Sequence, residues 1–254
     1  MNIVVPVKLV PDLVEELKLD GQGTALDPDW LRLKLNEFDD HAIEEALILK
    51  DRGVGQVTVI AIDNEGAEEM LYTAAAKGID QILKLTGANE QPVNNHILAR
   101  WLAPIIKELK PGLVLTGVQA HNDLDGPLGP LLAEYLGIPY IGYVARVVVG
   151  DGSAIIRKEL PGGLAAEIET HLPAVLGIQA AEQPPRYVAF SKIRQAMNTV
   201  SLEEKPVNTV DTSGGPIIDR MFQPESGERA EMITGNAGEV AEKLVEIFME
   251  LGVF

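Results

Sequence analysis

The chain has 254 residues, 46% of them hydrophobic, with no cysteine and a formal net charge of −17 at pH 7. That length buries the core of one large domain or two small ones in a globular composition. The missing thiols exclude disulfides, thiolate nucleophiles, iron–sulfur clusters and cysteine-ligated zinc, and the acidity disfavours nucleic acid and anionic membrane surfaces as partners.

No apolar run approaches the length of a membrane span. Met1-Asn2-Ile3-Val4-Val5 enters a strand with no basic region before it, so a cytoplasmic protein without a signal peptide is expected. Residues 3–10 read as one near-continuous buried strand. A helix is predicted over 38–50, with Ala42, Ile43, Ala46, Leu47 and Leu49 as its stripe and Gly53 past its end. A strand over 56–62 follows, then a helix over 65–77 closed by Gly78, and a third strand over 81–85. A long helix over 94–109 presents Ile97, Trp101 and Ile105 on one face; a fourth strand, 113–116, leads through a loop into a helix over 128–136. Such alternation predicts an α/β, Rossmann-like, mostly parallel sheet with helices on both faces.

From Tyr140 the rhythm changes to strand-like stretches at 141–149, 154–159, 167–171 and 174–178, joined by the turns Gly150-Asp151-Gly152 and Pro161-Gly162-Gly163. These are expected to form antiparallel hairpins continuing the sheet or extending its edge. Residues 184–232 show little core periodicity and are punctuated by Pro206, Gly214-Gly215-Pro216, Pro224 and Gly227, which reads as a stretch that is either disordered or wraps a partner as an arm. An amphipathic helix over 239–251 closes the chain, with Val240, Leu244, Ile247, Phe248 and Leu251 on one face. The expected division is 1–183, a nucleotide-binding domain, and 184–254, a recognition loop, arm and terminal helix.

Ligands of open parallel sheets sit outside the carboxyl ends of the strands, where strand order reverses. The loops to inspect therefore follow Val7, Ile62 and Thr116. The third, Gly117 to Pro130, is glycine-containing and opens a helix, an arrangement that offers backbone N–H groups to a phosphate. Asn122 adds donors, whereas Asp123 and Asp125 oppose an anion unless they turn outward or cap a helix. An ordinary capped loop accounts for the same residues. Asn36-Glu37-Phe38-Asp39-Asp40 reads as a helix start with acidic residues in its first turn, and Phe38 reads as core on pattern alone. His41, His96, His121 and His171 have no metal-ligand spacing, and no catalytic triad is recognisable; neither a metal site nor a catalytic residue is expected.

Six segments in order resemble the electron-transfer flavoprotein β subunits. They are Val7-Lys8-Leu9-Val10-Pro11-Asp12, Asn36 through Leu47, Ala74 through Asp80, Gly117-Val118-Gln119-Ala120, Gly162 through Val175, and Pro185-Arg186-Tyr187 with Ile193. The resemblance implies an adenine nucleotide α-hydrolase-like fold and a heterodimer with an α subunit that holds the electron-transferring FAD. It implies AMP, or a second FAD in bifurcating members, bound in this chain against Pro6, Asn36, Phe38, Ile62, Asn122, Asp123, Asp125, Gly126, Leu128, Gly129 and Leu132. It further implies docking on an acyl-CoA-type or other dehydrogenase, and on a redox acceptor, through Pro185, Tyr187, Phe190 and Ile193. The chain departs from the family's phosphate loop: Asp125 and Pro127 stand where threonine and glutamine would hold phosphate oxygens. The departures weigh against bifurcation and suggest a dedicated partner. A stand-alone nucleotide-binding protein of the universal-stress type, or a scaffold subunit that has lost its nucleotide, are the competing expectations.

Overall fold

In the first strand, β1 (Asn2–Val7), Ile3, Val5 and Val7 pack on one side and Val4 on the other, all buried, which is why the segment has no polar alternation. The computed structural model describes residues 1–87, 94–207, 210–224, 230 and 232–253. Contacts divide the chain into a unit Met1–Asp219 and a unit Arg220–Phe254.

After β1 come two short strands, β2 (Leu9–Pro11) and β3 (Leu33–Leu35), which pair antiparallel apart from the main sheet. The predicted strand 3–10 is therefore broken at Lys8. The reason is local: the Lys8 N–H donates to Asp39 Oδ2 at 2.8 Å and its carbonyl accepts from Asn36 N at 3.0 Å, so neither is free to continue the ladder. Helix α1 (Glu37–Asp51) precedes β4 (Gln56–Ile62), α2 (Ala67–Lys77) precedes β5 (Gln81–Thr86), and α3 (Asn95–Glu108) precedes β6 (Leu113–Gly117). Helix α4 (Leu128–Leu136) leads to β7 (Tyr140–Val149), β8 (Ser153–Leu160), β9 (Leu164–His171) and β10 (Ala174–Ile178). Then follow α5 (Phe190–Thr199) and β11 (Leu202–Pro206).

The nine-stranded sheet runs β11-β5-β4-β1-β6-β10-β7-β8-β9. It is parallel from β11 to β7, and β7-β8-β9 form the expected antiparallel extension at one edge. Two cores fill the two faces. One packs α1 and α2 on Ile3, Val5, Val57, Val59 and Leu115; the other packs α3 and α4 on Val4, Ile60, Leu83 and Val114. Each such side chain contributes roughly 1.5–3 kcal/mol relative to exposure. Strand β1 pairs with β4 on one side and β6 on the other, so the chain reverses its direction of travel across the sheet at β1. The crevice outside the ends of β1 and β6 is the switch point.

The reading of 184–232 as unpatterned is corrected at 190–206. Helix α5 packs along α2 through Ala196, and β11 pairs in parallel register with β5, Leu202 opposite Ile82. Further on, Arg100 holds the carbonyls of Asp211 and Ser213, and Asn94 Nδ2 donates to Gly214 O at 3.0 Å, strapping this part of the arm to the start of α3. Gly227, one of the breakers of the arm, lies outside the described residues.

In the second unit, α6 (Ala237–Glu250) matches the predicted terminal helix. Asn236 and Glu239 form a capping box, and none of the helix's residues is buried.

Candidate functional site

The start of α1 is the mechanical centre of the crevice. Asp39, 4% exposed, turns inward: its Oδ1 accepts from Gly117 N and its Oδ2 from Lys8 N, both at 2.8 Å. One carboxylate thus ties the ends of β1 and β6 to the helix between them in space. Asn36 does not cap α1 with its side chain; its Nδ2 donates to Gln119 O at 2.9 Å, extending the same joint into the loop. Phe38 is half-buried beside that joint. A Cβ on Gly117 would stand 2.4 Å from Asp39 Oδ1 and 2.8 Å from the Phe38 Cβ, so the close approach of α1 to β6 needs glycine there.

Lys8, Asn95 and Asp123 form the far wall. Lys8 Nζ donates to Asp123 Oδ1 at 2.6 Å and to Asn95 Oδ1 at 3.0 Å. Asn95 Nδ2 donates to Asp123 Oδ1 and to Gly126 O, each at 2.7 Å, and Asp123 Oδ2 accepts from Ala120 N at 2.8 Å. Asp125 Oδ2 accepts from His96 N at 3.1 Å, in the first turn of α3. The aspartates of the loop are thus consumed by the fold, and Asp125 caps α3 rather than α4.

The start of α4 is different. Its N-cap is Pro127, no side chain caps it, and no acidic residue stands in its first turn. Gly129 in that turn is buried; a Cβ there would meet the Tyr140 ring at 2.6 Å and Thr116 Oγ1 at 2.8 Å. Among the described residues, Thr116 Oγ1 is the buried side-chain oxygen or nitrogen that lacks a partner. Burial pushes the Tyr140 hydroxyl up to about 12, which keeps it protonated.

The remaining predicted residues divide by location. Asn122 is exposed, and Gly126 is exposed with a positive φ of 87°. Leu128 and Leu132 belong to the core between α4 and the sheet, and Pro6 is buried in β1 opposite Ile60. Ile62 is half-buried beside Ile97 and Trp101 of α3. On the other flank, Tyr187 is 90% and Phe190 68% exposed, with Pro185 and Ile193 half-buried.

Sequence reasoning missed the joint from α1 to that flank. Glu44 accepts from Arg186 N, Nε and Nη2 at 2.9–3.1 Å, and Arg186 Nη2 also reaches Asp51 at 3.1 Å. Glu45 accepts from Val147 N at 3.1 Å and Glu182 N at 3.2 Å, while His41 Nδ1 accepts from Ala181 N at 3.3 Å. The available signal was Glu44-Glu45 within an apolar helical stripe, since carboxylates there need internal partners.

Burial pushes Asp39 up to about 6, against the pull of its two amide donors and of Lys8. Burial, with the nearby Glu182 charge, pushes Glu45 up to about 7. The folded chain therefore holds these protons to higher pH than the unfolded chain, whose values lie near 3.8 and 4.5. Stability from this source is fully present below those values and is lost as pH rises through about 6 and about 7. The urea midpoint should fall between about pH 4 and about pH 7, and Glu45→Gln should flatten the upper part of the fall while lowering absolute stability. A variant with an unchanged slope contradicts the assignment.

The electron transfer flavoprotein domain family matches residues 30–211. The electron transfer flavoprotein subunit beta of Methylophilus methylotrophus is 32% identical over 262 residues, covering 98% of both chains. That of Clostridium acetobutylicum is 35% identical over 193 residues, covering 76% of this chain and 74% of that one. The caffeyl-CoA reductase-Etf complex subunit CarD of Acetobacterium woodii is 30% identical over 264 residues, covering 98% of both. With a switch-point crevice of this fold and matches along its whole length, the chain belongs to the electron transfer flavoprotein family as a β subunit, with a role in electron transfer.

Proposed function

We propose that this chain pairs with an electron-transfer flavoprotein α subunit, that the pair carries FAD held mainly by the α subunit, and that an adenine nucleotide, AMP or a second FAD, occupies the crevice between β1, β6 and α4. The observation that carries the nucleotide is the start of α4: an uncapped helix N-terminus over a buried, unpartnered Thr116 hydroxyl. Asn36 holds the loop beside it, and Phe38 offers an aromatic surface on which a flavin can pack away from water. FAD supplies the one-electron chemistry; this chain's residues position it, exclude water and choose partners.

The electron donor, an acyl-CoA-type or other dehydrogenase, and the acceptor meet the complex through the exposed aromatics Tyr187 and Phe190, backed by Pro185 and Ile193. Large aromatics left at 90% and 68% exposure, Tyr187 just before α5 and Phe190 at its first position, suit an interface hot spot. In the second unit, the unburied apolar stripe of α6 suits the α subunit. Co-expression with the α partner should give a yellow heterodimer that releases an adenine nucleotide besides its flavin on denaturation. A colourless, stable monomer sinks the reading. Within that complex, Phe190→Ala should slow electron exchange with the external partner about ten-fold or more, a loss of about 1.4 kcal/mol or more, with flavin content unchanged. Equal rates remove the docking role.

A further inference from the structure

Positive φ falls to glycine in this chain, and among the described residues only Lys110 and Tyr143 depart from that, at 48° and 60°. Lys110 directly follows the last turn of α3, where a cation faces the negative end of a helix. Tyr143 has no such account. It lies inside β7, and left-handed backbone is a genuine outlier for a bulky side chain.

The conformation itself is explained by the sheet. Gly142 stands opposite Gly177 and Val144 opposite Ile178, so Tyr143 is an extra residue without a partner on β10, a bulge that bends β7. Beyond the bend, Val144 O accepts from Gln179 N at 2.8 Å, and Val147 N donates to Glu45 Oε1 of α1 at 3.1 Å. A glycine would supply that bend without strain. The fold therefore requires the backbone at this position but not the tyrosine ring, which is 51% exposed.

Beside the ring stands a cation without a counterion. Lys158 of β8, opposite Val144, holds its Nζ 5.7 Å from the ring centroid and makes no ion pair among the described residues. In a chain of net charge −17, an unpaired ammonium next to an exposed ring suits an anionic group carried on an apolar or planar surface. The place is the rim of the crevice. Ile178, level with the bulge, is also opposite Gly117, beside which Phe38 stands at the start of α1.

We propose that Tyr143 and Lys158 form a contact for the flavin-bearing α subunit, in which the ring packs on that subunit and the ammonium pairs with one of its anionic oxygens. This rests on the reading of the chain as one half of that heterodimer, and names the residues at which the partner meets the crevice rim. The backbone strain persists because the ring acts outside the fold.

The test reads dissociation of the heterodimer on dilution, beside thermal melts of the full chain. Tyr143→Ala removes the ring and keeps the strained φ, whereas Tyr143→Gly removes both. The glycine variant should melt about 2–4 °C above the alanine variant, because only glycine relieves the backbone. Both should release the α subunit about ten-fold or more readily than the wild type, since both lack the ring. Tyr143→Phe should stay within about three-fold of the wild type, and Lys158→Met should weaken the pair about three-fold with a smaller salt dependence. Alanine and glycine variants that pair as tightly as the wild type overturn the proposal. So does an affinity that follows the melts, with glycine restoring what alanine loses; in both cases the heterodimer stands. A wild type that does not pair with the α subunit overturns the heterodimer reading as well.

Discussion

Asp39→Ala should lower the unfolding free energy by on the order of 3–5 kcal/mol and abolish nucleotide retention, as read by urea denaturation and by the nucleotide released from the complex. The substitution removes the acceptor of two backbone N–H groups, Lys8 N just past β1 and Gly117 N at the end of β6, that have this carboxylate as their partner. Each buried donor left unsatisfied costs about 1–3 kcal/mol. Water entering the space cannot restore the geometry, because Asp39 also sets the distance between α1 and β6. Asp39→Asn is the informative intermediate: its Oδ1 can satisfy one amide while its NH2 group faces the other, so about half the loss is expected. Gly117→Ala attacks the same joint from the other side, its Cβ arriving 2.4 Å from Asp39 Oδ1. Because both changes disturb one contact, the double variant should cost less than the sum of the two. Additive losses show that Asp39 and Gly117 act independently.

The sheet was legible because burial on both faces favours runs of apolar residues: Ile3 to Val7, Val59 to Ala61 and Leu113 to Leu115 are apolar without alternation. Helix α5 and β11 were not legible, for complementary reasons. The apolar residues of α5, Phe190, Ile193 and Met197, face largely outward and only Ala196 is buried, so its stripe marks an outer surface rather than a core. In β11, Leu-Glu-Glu-Lys-Pro joins the sheet edge through main-chain pairing with β5 and gains Lys84–Glu204 at 2.9 Å, which no hydrophobic period encodes. At the site, the loop after Thr116 could be located from strand–loop–helix order alone. What its aspartates do could not, since Lys8 lies 115 residues from Asp123 and their meeting is a consequence of topology. Asp39 was read as favouring the helix dipole from outside; the fold rotates it inward, where it binds strands instead of stabilising a helix end.

Arg186→Ala is expected to cost about 3 kcal/mol and to loosen the segment that carries Tyr187 and Phe190. Glu44 is nearly enclosed at 3% side-chain exposure, and Arg186 supplies it with a backbone N–H and two guanidinium donors. Truncating the arginine leaves a buried carboxylate with the amide alone, which is why breaking such a pair costs more than the pair contributes. Asp51 gives the internal control. It shares the same guanidinium at 3.1 Å but is 62% exposed, so Asp51→Ala should change stability by about 1 kcal/mol or less. The functional consequence separates anchoring from mere stability. Residues 181, 182 and 186 are fastened to α1 by His41, Glu45 and Glu44 in turn, so loss of the last fastening frees the chain nearest the exposed Tyr187 and Phe190. Amide exchange should therefore accelerate around 186–190 while residues 180–182 stay protected, and electron exchange with the external partner should slow with the flavin spectrum unchanged. Uniform acceleration across the whole sheet means that Arg186 holds the fold rather than the segment around Tyr187 and Phe190. A spectrum altered along with the rate means that α1 transmits the loss to Phe38, at the other end of the same helix.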